Sequence, residues 1–519
     1  MGRSGMKNGV MLQAFQWDLP SDGMHWRRLG RMAFRLQRMG FTALWLPPAF
    51  KGAAGERDVG YGVYDLYDLG EFDQQGSVST KYGTRKEYLA ALRALKHARI
   101  QPLADLVLNH RMGADAWEAV TVSRMDPKDR HRVLESGVPA QLYTRFTFPG
   151  RRGAYSNFCW DASCFTACNW DERTQQEGLY LIEGKRWAED VDGERGNYDY
   201  LMGADVDFAS PAVLEEMHRW GHWLVDTTGV EGFRLDAVKH ISAAFYRDWL
   251  REIRRHTGKE LFAVGEYWHH DVHVLHRYLT QVDDAMCLFD VPLHGRFREI
   301  SIANGQFDMT RLFDDTLVGT RPHQAVTFVD NHDTQPGQAL ESWVERWFKP
   351  AAYGLILLRA FGYPCVFWGD LYGIPARDIP PLSCLKTLLR LRRTRALGAE
   401  RDWFDHPHLI GFIREGETDH PGSGLAFLCT NVEGGAKRMT VGKRFAGRWF
   451  RCALGDQADV QIDADGSGLF RVDDGGCSVY VPRMTVREAI TLGYHELHRT
   501  LSSLLRQGLH ALPGGRSRP

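Results

Sequence analysis

GFRLDAVKH, at residues 232–240, is a short apolar strand pattern that ends on a carboxylate. Phe233 and Leu235 supply the apolar positions, Asp236 ends the strand, and Arg234 precedes this Asp by two residues. A guanidinium beside an Asp favours the ionised form, so the pattern predicts a low pKa for Asp236 and a role as a nucleophile. The alternative is a structural ion pair at the end of a strand.

Two further apolar runs end in the same way. LFAVGEYW, at residues 261–268, closes on Glu266 between aromatic residues, and AVTFVDNHD, at residues 325–333, closes on His332 and Asp333. Burial raises the pKa of a Glu toward the range in which it can donate a proton near neutral pH. Carboxylates at the ends of three strands can supply a nucleophile, a proton donor and support for a positively charged sugar ring. Cleavage of a glycosidic bond needs these groups.

Together with DLVLNH at residues 105–110, these motifs resemble the four signature regions of the α-amylase family of glycoside hydrolases. The similarity runs from about Gly9 to about Val481, and it is strongest to the liquefying bacterial type, especially its intracellular members. It implies retaining hydrolysis of internal α-1,4-glucosidic bonds in starch, glycogen or maltodextrins. The catalytic residues it implies are Asp236 as nucleophile, Glu266 as acid and base, and Asp333 as the residue that binds the sugar hydroxyls.

The resemblance also implies a set of residues that contact the substrate: Tyr61, His110, Arg234, Lys239, His240, Trp268 and His332. Tyr61, in a Tyr-rich loop at residues 58–72, would stack on a sugar, which needs an exposed flat ring; the alternative is a packed aromatic loop. His110 and His332 would contact the sugar at the reacting position, whereas a His taken alone is more often structural. Lys239, His240 and Trp268 would lie on the leaving-group side.

Acidic residues gather at residues 196–207, near the end of a long irregular stretch. The resemblance implies a Ca²⁺ site there, and oxygen ligands suit that ion. Its ligands would be Asn109, Asp199, Asp205 and the backbone carbonyl of His240. The alternative is a solvated acidic loop. Two further acidic ligands of the liquefying type align with Thr166 and Ala188, so we expect a single calcium and no cluster of metals.

Short apolar strands alternate with amphipathic helices up to about residue 398, as in a parallel sheet. The predicted strands are Val10–Phe15, Phe41–Leu46, Pro102–Leu108, the run that ends at Asp236, Leu261–Glu266, Met286–Leu293, Ala325–Asp330 and Pro364–Gly369. The predicted helices include Trp26–Met39, Arg85–Ala98, Val213–Asp226 and Phe245–Arg255. Eight such strands predict an α/β fold, a (β/α)₈ barrel with its chemistry at the carboxyl ends of the strands.

Two stretches depart from this alternation. Residues 111–204 are too long for a loop and predict a small β-rich domain inserted after the third strand. Residues 399–482 carry alternating strands with Gly turns and predict a C-terminal antiparallel β domain that either stabilises the enzyme or contacts sugar. The barrel would then take residues 1–110 and 205–398. Residues 483–519 form a tail with leucines at helical spacing and no assignable role.

The composition points to a neutral substrate. The 519 residues carry a net charge of −1, which gives no reason to expect binding to nucleic acid or to a membrane surface. We find no secretion signal and no apolar run long enough to span a membrane, and the nine cysteines are an odd number without a framework. We therefore expect a cytoplasmic, monomeric protein with reduced thiols. A zinc site or a disulfide among Cys159, Cys164 and Cys168 is the alternative for that cluster.

Two other functions fit parts of the pattern. An α-glucan transferase or a maltooligosaccharide-forming enzyme would share the fold and the three carboxylates, although the long insertion and the loop at residues 59–72 favour hydrolysis of a polymer. A non-catalytic glucan-binding barrel would usually lack one of these carboxylates. All three are present, which disfavours this second alternative.

Overall fold

The computed structural model describes residues 8–485 and residue 488. The chain forms two compact units. The first comprises the chain up to residue 298 together with residues 313–344 and 361–383, and the second comprises residues 299–312, 345–360 and the chain from residue 384 onward. The predicted domain boundaries are not tested by this division and stay a prediction.

A closed barrel of eight parallel strands forms the core of the first unit. Its strands, in chain order, are Met11–Gln13, Ala43–Trp45, Gln101–Leu106, Gly232–Leu235, Phe262–Gly265, Cys287–Phe289, Ala325–Phe328 and Tyr363–Phe367. The first strand pairs with the second and with the eighth, which closes the barrel. Buried side chains from several strands, including Met11, Trp45 and Val264, fill the interior. The predicted (β/α)₈ barrel is confirmed.

Helices follow the strands of the barrel. The helices of the described residues are His25–Met39, Arg85–His97, Pro211–Thr228, Ala243–Thr257, Val272–Gln281, Val291–Ile302, Leu317–Thr320, Lys349–Leu357, Trp368–Tyr372 and Leu385–Thr394. Short 3₁₀ turns lie at Gly55–Arg57, Ala162–Cys164, Val238–His240, Met309–Arg311, Pro375–Arg377 and Lys443–Phe445. The first helix ends at Gly40 with a φ of 109°, a conformation that favours glycine. The helix at Arg85–His97 begins with a capping box of Thr84 and Glu87.

Two predicted strands extend into the helices that follow them. The sixth strand ends at Phe289, and the residues from Val291 onward, predicted as strand, begin a helix. Pro292 lies in the first turn of this helix, where its missing N–H costs no hydrogen bond. The eighth strand ends at Phe367, and Trp368 begins a helix as well. Periodicity alone does not separate a short buried strand from the helix that follows it.

The insertion is a six-stranded antiparallel sheet. Its order is His110–Arg111, Ala204–Val206, Phe165–Asp171, Gln176–Ile182, Ala116–Met125 and Val133–Arg145. The sheet starts just after the third barrel strand, and the chain returns through Ala204–Val206 to the helix at Pro211–Thr228. A separate two-stranded ribbon joins Lys51–Gly52 to Val63–Asp65. The predicted β-rich insertion after the third strand is therefore confirmed as part of the fold.

The second unit contains antiparallel β-structure. One sheet has the order Glu400–Trp403, Leu409–Arg414, Leu425–Thr430, Cys477–Pro482, Trp449–Leu454 and Val460–Gln461, and a ribbon pairs Gly435–Thr440 with Ser467–Val472. Leu428, Phe450 and Phe470 belong to the apolar core of this unit. The predicted C-terminal antiparallel β domain is confirmed as a feature of the fold. The leucine pattern of the tail, at Leu497, Leu501, Leu504 and Leu505, lies outside the described residues.

No helix among residues 8–485 is long and apolar enough to cross a membrane. All nine cysteines are free thiols. Cys159 is exposed, Cys164 is buried in the 3₁₀ turn Ala162–Cys164, and Cys168 is buried in the inserted sheet. The cluster noted in the sequence contains no disulfide.

Candidate active site

Arg234 is the centre of a buried charge cluster at the barrel's fourth strand. Its guanidinium donates to Asp105 Oδ1 at 2.9 Å, to Asp236 Oδ1 at 2.5 Å and to Glu266 Oε2 at 2.7 Å. Asp105 lies directly opposite Arg234 on the neighbouring third strand, and Glu266 directly follows the fifth. One cation therefore orients carboxylates from three adjacent strands. Asp105 was not predicted as a site residue, although an Asp within a buried-type strand was a signal for it.

The predicted low pKa of Asp236 is wrong. Burial raises the pKa of Asp236 to about 7; Arg234 lowers it, while Glu266 and Asp105 raise it further. The guanidinium cannot keep Asp236 at a low pKa because it is shared by three buried carboxylates. The pKa of Asp333 also lies well above its usual range, because of burial and of the nearby Glu266. Asp236 and Asp333 therefore hold their protons to higher pH than isolated carboxyls do.

The backbone bends sharply just after Asp236. Ala237 adopts a left-handed conformation with a φ of 46°, which is uncommon for a residue with a side chain. Its N–H donates to Glu266 Oε2 at 3.2 Å, and the 3₁₀ turn Val238–His240 follows. The turn thereby directs the backbone of residue 237 toward the second carboxylate. Strained backbone of this kind is concentrated at functional sites in proteins.

Asp333 and His332 come from the end of the seventh strand. The side chain of Asp333 is 24% exposed, and one of its oxygens lies 3.3 Å from His332 Nε2. His332 Nδ1 lies 3.0 Å from the amide nitrogen of Gln13 on the first strand. Burial and the charge of Arg234 hold the pKa of His332 well below its usual range, so the imidazole is neutral. Asp333 interacts electrostatically with Glu266 and Asp236, so the structure brings the three predicted catalytic carboxylates together.

Three aromatic rings lie nearly parallel beside these carboxylates. Tyr61 and Trp17 have planes within 2° and centroids 5.9 Å apart, and both rings also lie within 16° of the imidazole of His332. The Tyr61 hydroxyl donates to Asp105 Oδ2 at 2.8 Å. Tyr61 and Trp17 are only partly buried. Trp17 was not predicted as a site residue from the sequence.

Trp17 is held by a chain of polar contacts between three loops. Its backbone N–H donates to Gln335 Oε1 at 3.1 Å, and Gln335 Nε2 donates to Asp18 Oδ2 at 2.8 Å. Arg377 pairs with the same Asp18 oxygen at 3.1 Å. These loops follow the first, seventh and eighth strands, so Trp17 is positioned by residues far apart in the sequence.

His110 is buried at the start of the inserted sheet. Its Nε2 donates to the backbone carbonyl of Tyr61 at 2.8 Å, and its Nδ1 has no hydrogen-bond partner among the described residues. Burial lowers the pKa of His110 to about 4, so its ring is neutral and Nδ1 carries a lone pair. The residue is thus fixed against the loop that carries Tyr61.

Lys239 and His240 lie in the 3₁₀ turn after Asp236. Lys239 Nζ donates to the Trp268 carbonyl at 3.1 Å and pairs with Glu194 at 3.2 Å. His240 Nδ1 lies 2.6 Å from the Tyr198 carbonyl, and burial lowers the pKa of His240 to about 3. Glu194 and Tyr198 come from the insertion, so the inserted segment contributes directly to this side of the site. Neither of these two residues was identified from the sequence.

The predicted calcium ligands contain an unsatisfied buried carboxylate. Asp205 is buried, its Oδ2 has no hydrogen-bond partner among the described residues, and its Oδ1 lies 3.4 Å from the amide nitrogen of Asn109. Burial and the charge of Asp199 raise the pKa of Asp205 well above its usual range. Burial likewise raises the pKa of Asp199 to about 7. Buried carboxylate oxygens without a cationic partner are costly, and they fit a hard cation that takes oxygen ligands.

A different cation already neutralises the nearby Asp207. Lys185 Nζ lies 2.6 Å from an Asp207 oxygen. Elsewhere, in the second unit, Glu417, Asp419 and His420 place ligand atoms within 4.8 Å of one another, but Asp419 is exposed and the other two are only partly buried. Exposed acidic groups are solvated by water and need no metal. Of the two acidic sets, the one around Asp205 therefore has the stronger physical reason to bind a cation.

An open groove of about 330 Å³ lies along the inserted sheet. Its walls include Arg111, Met112 and Gly113. Tyr143 and Trp170 also line it, and these rings are 39% and 36% exposed. Exposed aromatic faces beside a concave surface suit the faces of sugar rings.

Comparisons with known proteins agree with this geometry. A sequence model of the family described as alpha amylase, catalytic domain, matches residues 34–380. The chain is 50% identical to an alpha-amylase of Geobacillus stearothermophilus, over 93% of this chain and 88% of the relative. It is 47% identical to a glucan 1,4-alpha-maltohexaosidase of Bacillus sp. (strain 707), over 91% and 92% of the two chains. It is 43% identical to the cytoplasmic alpha-amylase of Escherichia coli (strain K12), over 92% and 99%.

Proposed function

Because the chain belongs to the α-amylase family, we propose that it hydrolyses internal α-1,4-glucosidic bonds of starch, glycogen or maltodextrins with retention of configuration. The observation that carries this proposal is the convergence of Asp236, Glu266 and Asp333 from three barrel strands. Arg234 contacts two of these carboxylates directly. The carboxyl ends of the strands are where such barrels place their chemistry.

In the first step, an oxygen of ionised Asp236 attacks the anomeric carbon while Glu266 gives its proton to the leaving glycosidic oxygen. The old carbon–oxygen bond breaks as the bond to Asp236 forms. In the second step, Glu266 takes a proton from water, the water oxygen attacks the same carbon, and Asp236 leaves. Two inversions restore the α configuration. Asp333 holds the sugar hydroxyls beside the reacting carbon, supported by His332.

The parallel rings of Tyr61 and Trp17 supply an apolar face for the sugar next to the cleaved bond. His110 is positioned by its bond to the Tyr61 carbonyl and contacts the same sugar. On the leaving-group side, Lys239 binds the departing chain with His240 and Trp268. The Lys239 ammonium is already held by Glu194 and by the Trp268 carbonyl, so little side-chain entropy is lost when sugar binds.

We propose that a single Ca²⁺ is held by Asn109, Asp199, Asp205 and the backbone carbonyl of His240. Support comes from the partnerless buried oxygen of Asp205 and from the raised pKa values of both carboxyls. When bound, the ion would neutralise two buried carboxylates. Asn109 follows the third barrel strand and Asp205 lies in the inserted sheet, so these ligands join barrel and insertion.

A maltooligosaccharide-forming enzyme is the second candidate, and the groove along the inserted sheet favours it. Its two exposed rings, Tyr143 and Trp170, can hold sugar units beyond the reacting one, and an enzyme that binds several units on one side releases products of preferred length.

We place the enzyme in the cytoplasm, by analogy with the relative named cytoplasmic alpha-amylase. The monomeric state and the absence of other partners stay predictions from the sequence.

Proton NMR during the first minutes of maltoheptaose cleavage tests this function. New reducing ends are expected as the α anomer, and Asp236→Asn is expected to form none. An initial β anomer would contradict the nucleophilic role of Asp236. Products longer than maltoheptaose would show that sugar replaces water as the acceptor. The same experiment with EDTA tests calcium, since chelation is expected to slow cleavage.

A further inference from the structure

A second group of aromatic side chains meets on the first unit, outside the residues assigned to the active site. Tyr155 contacts Trp223 at 5.1 Å and Phe72 at 5.9 Å between ring centroids. We call these three residues the Tyr155 surface. Tyr155 is 41% exposed, and Phe72 and Trp223 are partly exposed. They come from three separate segments of the chain, so the cluster forms only in the folded protein.

The loop that presents Tyr155 is built with strained but well-anchored backbone. Phe148, Arg152 and Tyr155 have φ values of 51°, 52° and 69°, in the region that side chains disfavour. Buried Arg151 braces this loop, because its guanidinium donates to the carbonyls of Ala154 and Ser156 and also pairs with Asp65. A fixed loop therefore holds the Tyr155 ring at the surface. Strain of this kind is retained where a protein needs the conformation.

Packing alone does not account for the exposed ring. Tyr67 contacts Trp223 at 4.9 Å and is buried, so it already supplies apolar support for this indole. Tyr155 leaves a large part of its ring in water while it occupies a disfavoured backbone conformation. Its backbone conformation thus has an energetic cost that the packing of Trp223 does not require, and ligand binding is a reason to keep it.

The polar groups around Tyr155 indicate a neutral ligand. The Tyr155 hydroxyl donates to Glu71 at 2.8 Å, and Arg85 lies 3.4 Å from the same carboxylate oxygen and 5.8 Å from the ring centroid. Glu71 and Arg85 therefore neutralise each other while they still offer hydrogen-bond acceptors and donors. A rim of this kind suits hydroxyl groups better than an anion or a cation.

We propose that Phe72, Tyr155 and Trp223 form a second α-glucan-binding surface, which holds one segment of a polymer while another segment is cleaved. The proposal rests on the proposed function, because it takes its ligand from that substrate class. Sugar faces stack on aromatic rings, and the hydroxyls at the sugar edges would bond to Glu71 and Arg85. The rings are inclined by 43° and 63°, which suits the curved path of an α-1,4-linked chain.

Binding to amylopectin tests the proposal in the Asp236→Asn background, where the polymer stays intact. Tyr155→Ala is expected to weaken retention in an amylopectin-containing gel by about five- to tenfold, as the loss of one stacking contact predicts. Tyr155→Phe keeps the ring and is expected to bind within about twofold of the parent. Trp449→Ala removes a ring that is 44% exposed in the second unit and serves as the matched control.

In the active background, Tyr155→Ala is expected to lower kcat/KM for amylopectin and to leave kcat/KM for maltoheptaose within about twofold. Unchanged amylopectin binding by Tyr155→Ala would overturn the proposal, and so would an equal loss in Trp449→Ala. An equal loss on both substrates would overturn it too, because Tyr155 would then act within the active cleft. If the parent bound amylopectin but cleaved no glucan, the result would contradict the proposed function. It would not contradict the proposed binding surface.

Discussion

Asp236→Asn is expected to remove turnover and, at the same time, to stabilise the fold. Burial among carboxylates raises the pKa of Asp236 from its ordinary 3.8 to about 7. A difference of about three pKa units corresponds to a cost of about 4 kcal/mol for keeping Asp236 ionised in the fold. This is an upper bound, because the acids of the cluster share their protons. The neutral amide avoids this cost, and Arg234 then pairs with only two carboxylates. We therefore expect the free energy of unfolding to rise by about 1–4 kcal/mol.

The gain should depend on pH in a defined direction. The pKa of Asp236 is higher in the folded chain than in the unfolded chain, so the folded chain holds a proton that the unfolded chain has released between about pH 4 and pH 7. The stability of the parent protein therefore falls as pH rises through this window, whereas Asp236→Asn lacks this contribution. The difference between the two proteins should be small near pH 4 and largest above pH 7.

Thermal unfolding of both proteins at pH 5 and pH 8, at one scan rate and with Ca²⁺ present, measures this difference. Asp236→Asn is expected to melt about 1–4 °C higher at pH 8 and to show a smaller advantage at pH 5. The same preparations are assayed with maltoheptaose. Residual kcat above about a thousandth, a barrier increase below about 4 kcal/mol, would refute the nucleophile assignment. Equal pH dependence of melting in both proteins would refute the pKa reasoning, whatever the activity.

Three further predictions follow from the same geometry. Ca²⁺ at a hundredfold excess over its dissociation constant should raise the free energy of unfolding of the parent by about 2.7 kcal/mol. Thermal melting with and without EDTA measures this gain. Asp205→Asn should lose it, and the control Asp419→Asn should keep it. Trp170→Ala should broaden the distribution of product lengths from amylose, measured by chromatography, with little effect on maltotriose cleavage, because it shortens the sugar-binding groove. The acid limb of kcat/KM should lie near pH 7, since Asp236 must be ionised to attack; a limb near pH 4 would contradict its raised pKa.

The barrel could be predicted from the sequence because its strands are covered on both sides. Such strands are continuous apolar runs, as in Ala325–Phe328. Asp236 and Glu266 directly follow their strands, and Asp333 lies in the segment just after the seventh. The order of strands and helices then left few topologies to consider. The ends of the strands could not be predicted as well, because the helix at Val291–Ile302 continues the apolar pattern of the strand before it. The pattern therefore does not mark where that strand ends.

The charge state of the site could not be predicted in the same way. Asp236 and Arg234 are two residues apart, and a local pattern suggested one ion pair with a low pKa. Asp105 lies 129 residues from Arg234 and Glu266 lies 32 residues from it, yet both bind the same guanidinium. The number of carboxylates that share a cation is set by the register of the barrel strands, which the local pattern does not contain. Trp17 and Glu194 were missed for a related reason, because their partners come from distant loops.

The carboxyl groups of the site outnumber its one cation, Arg234. This excess of acidic groups has opposite consequences for the site without substrate and for the reaction. In the empty site the carboxylates repel one another, and the fold bears the cost of their burial. When the glycosidic bond breaks, the sugar ring gains positive charge at the place where this negative charge is concentrated, and the same excess then lowers the barrier. A high pKa also makes Asp236 a more basic nucleophile once it is ionised. Substitutions that relieve the excess, at Asp236 or at Asp333, should therefore raise stability and lower kcat together, which is the usual trade-off at an active site.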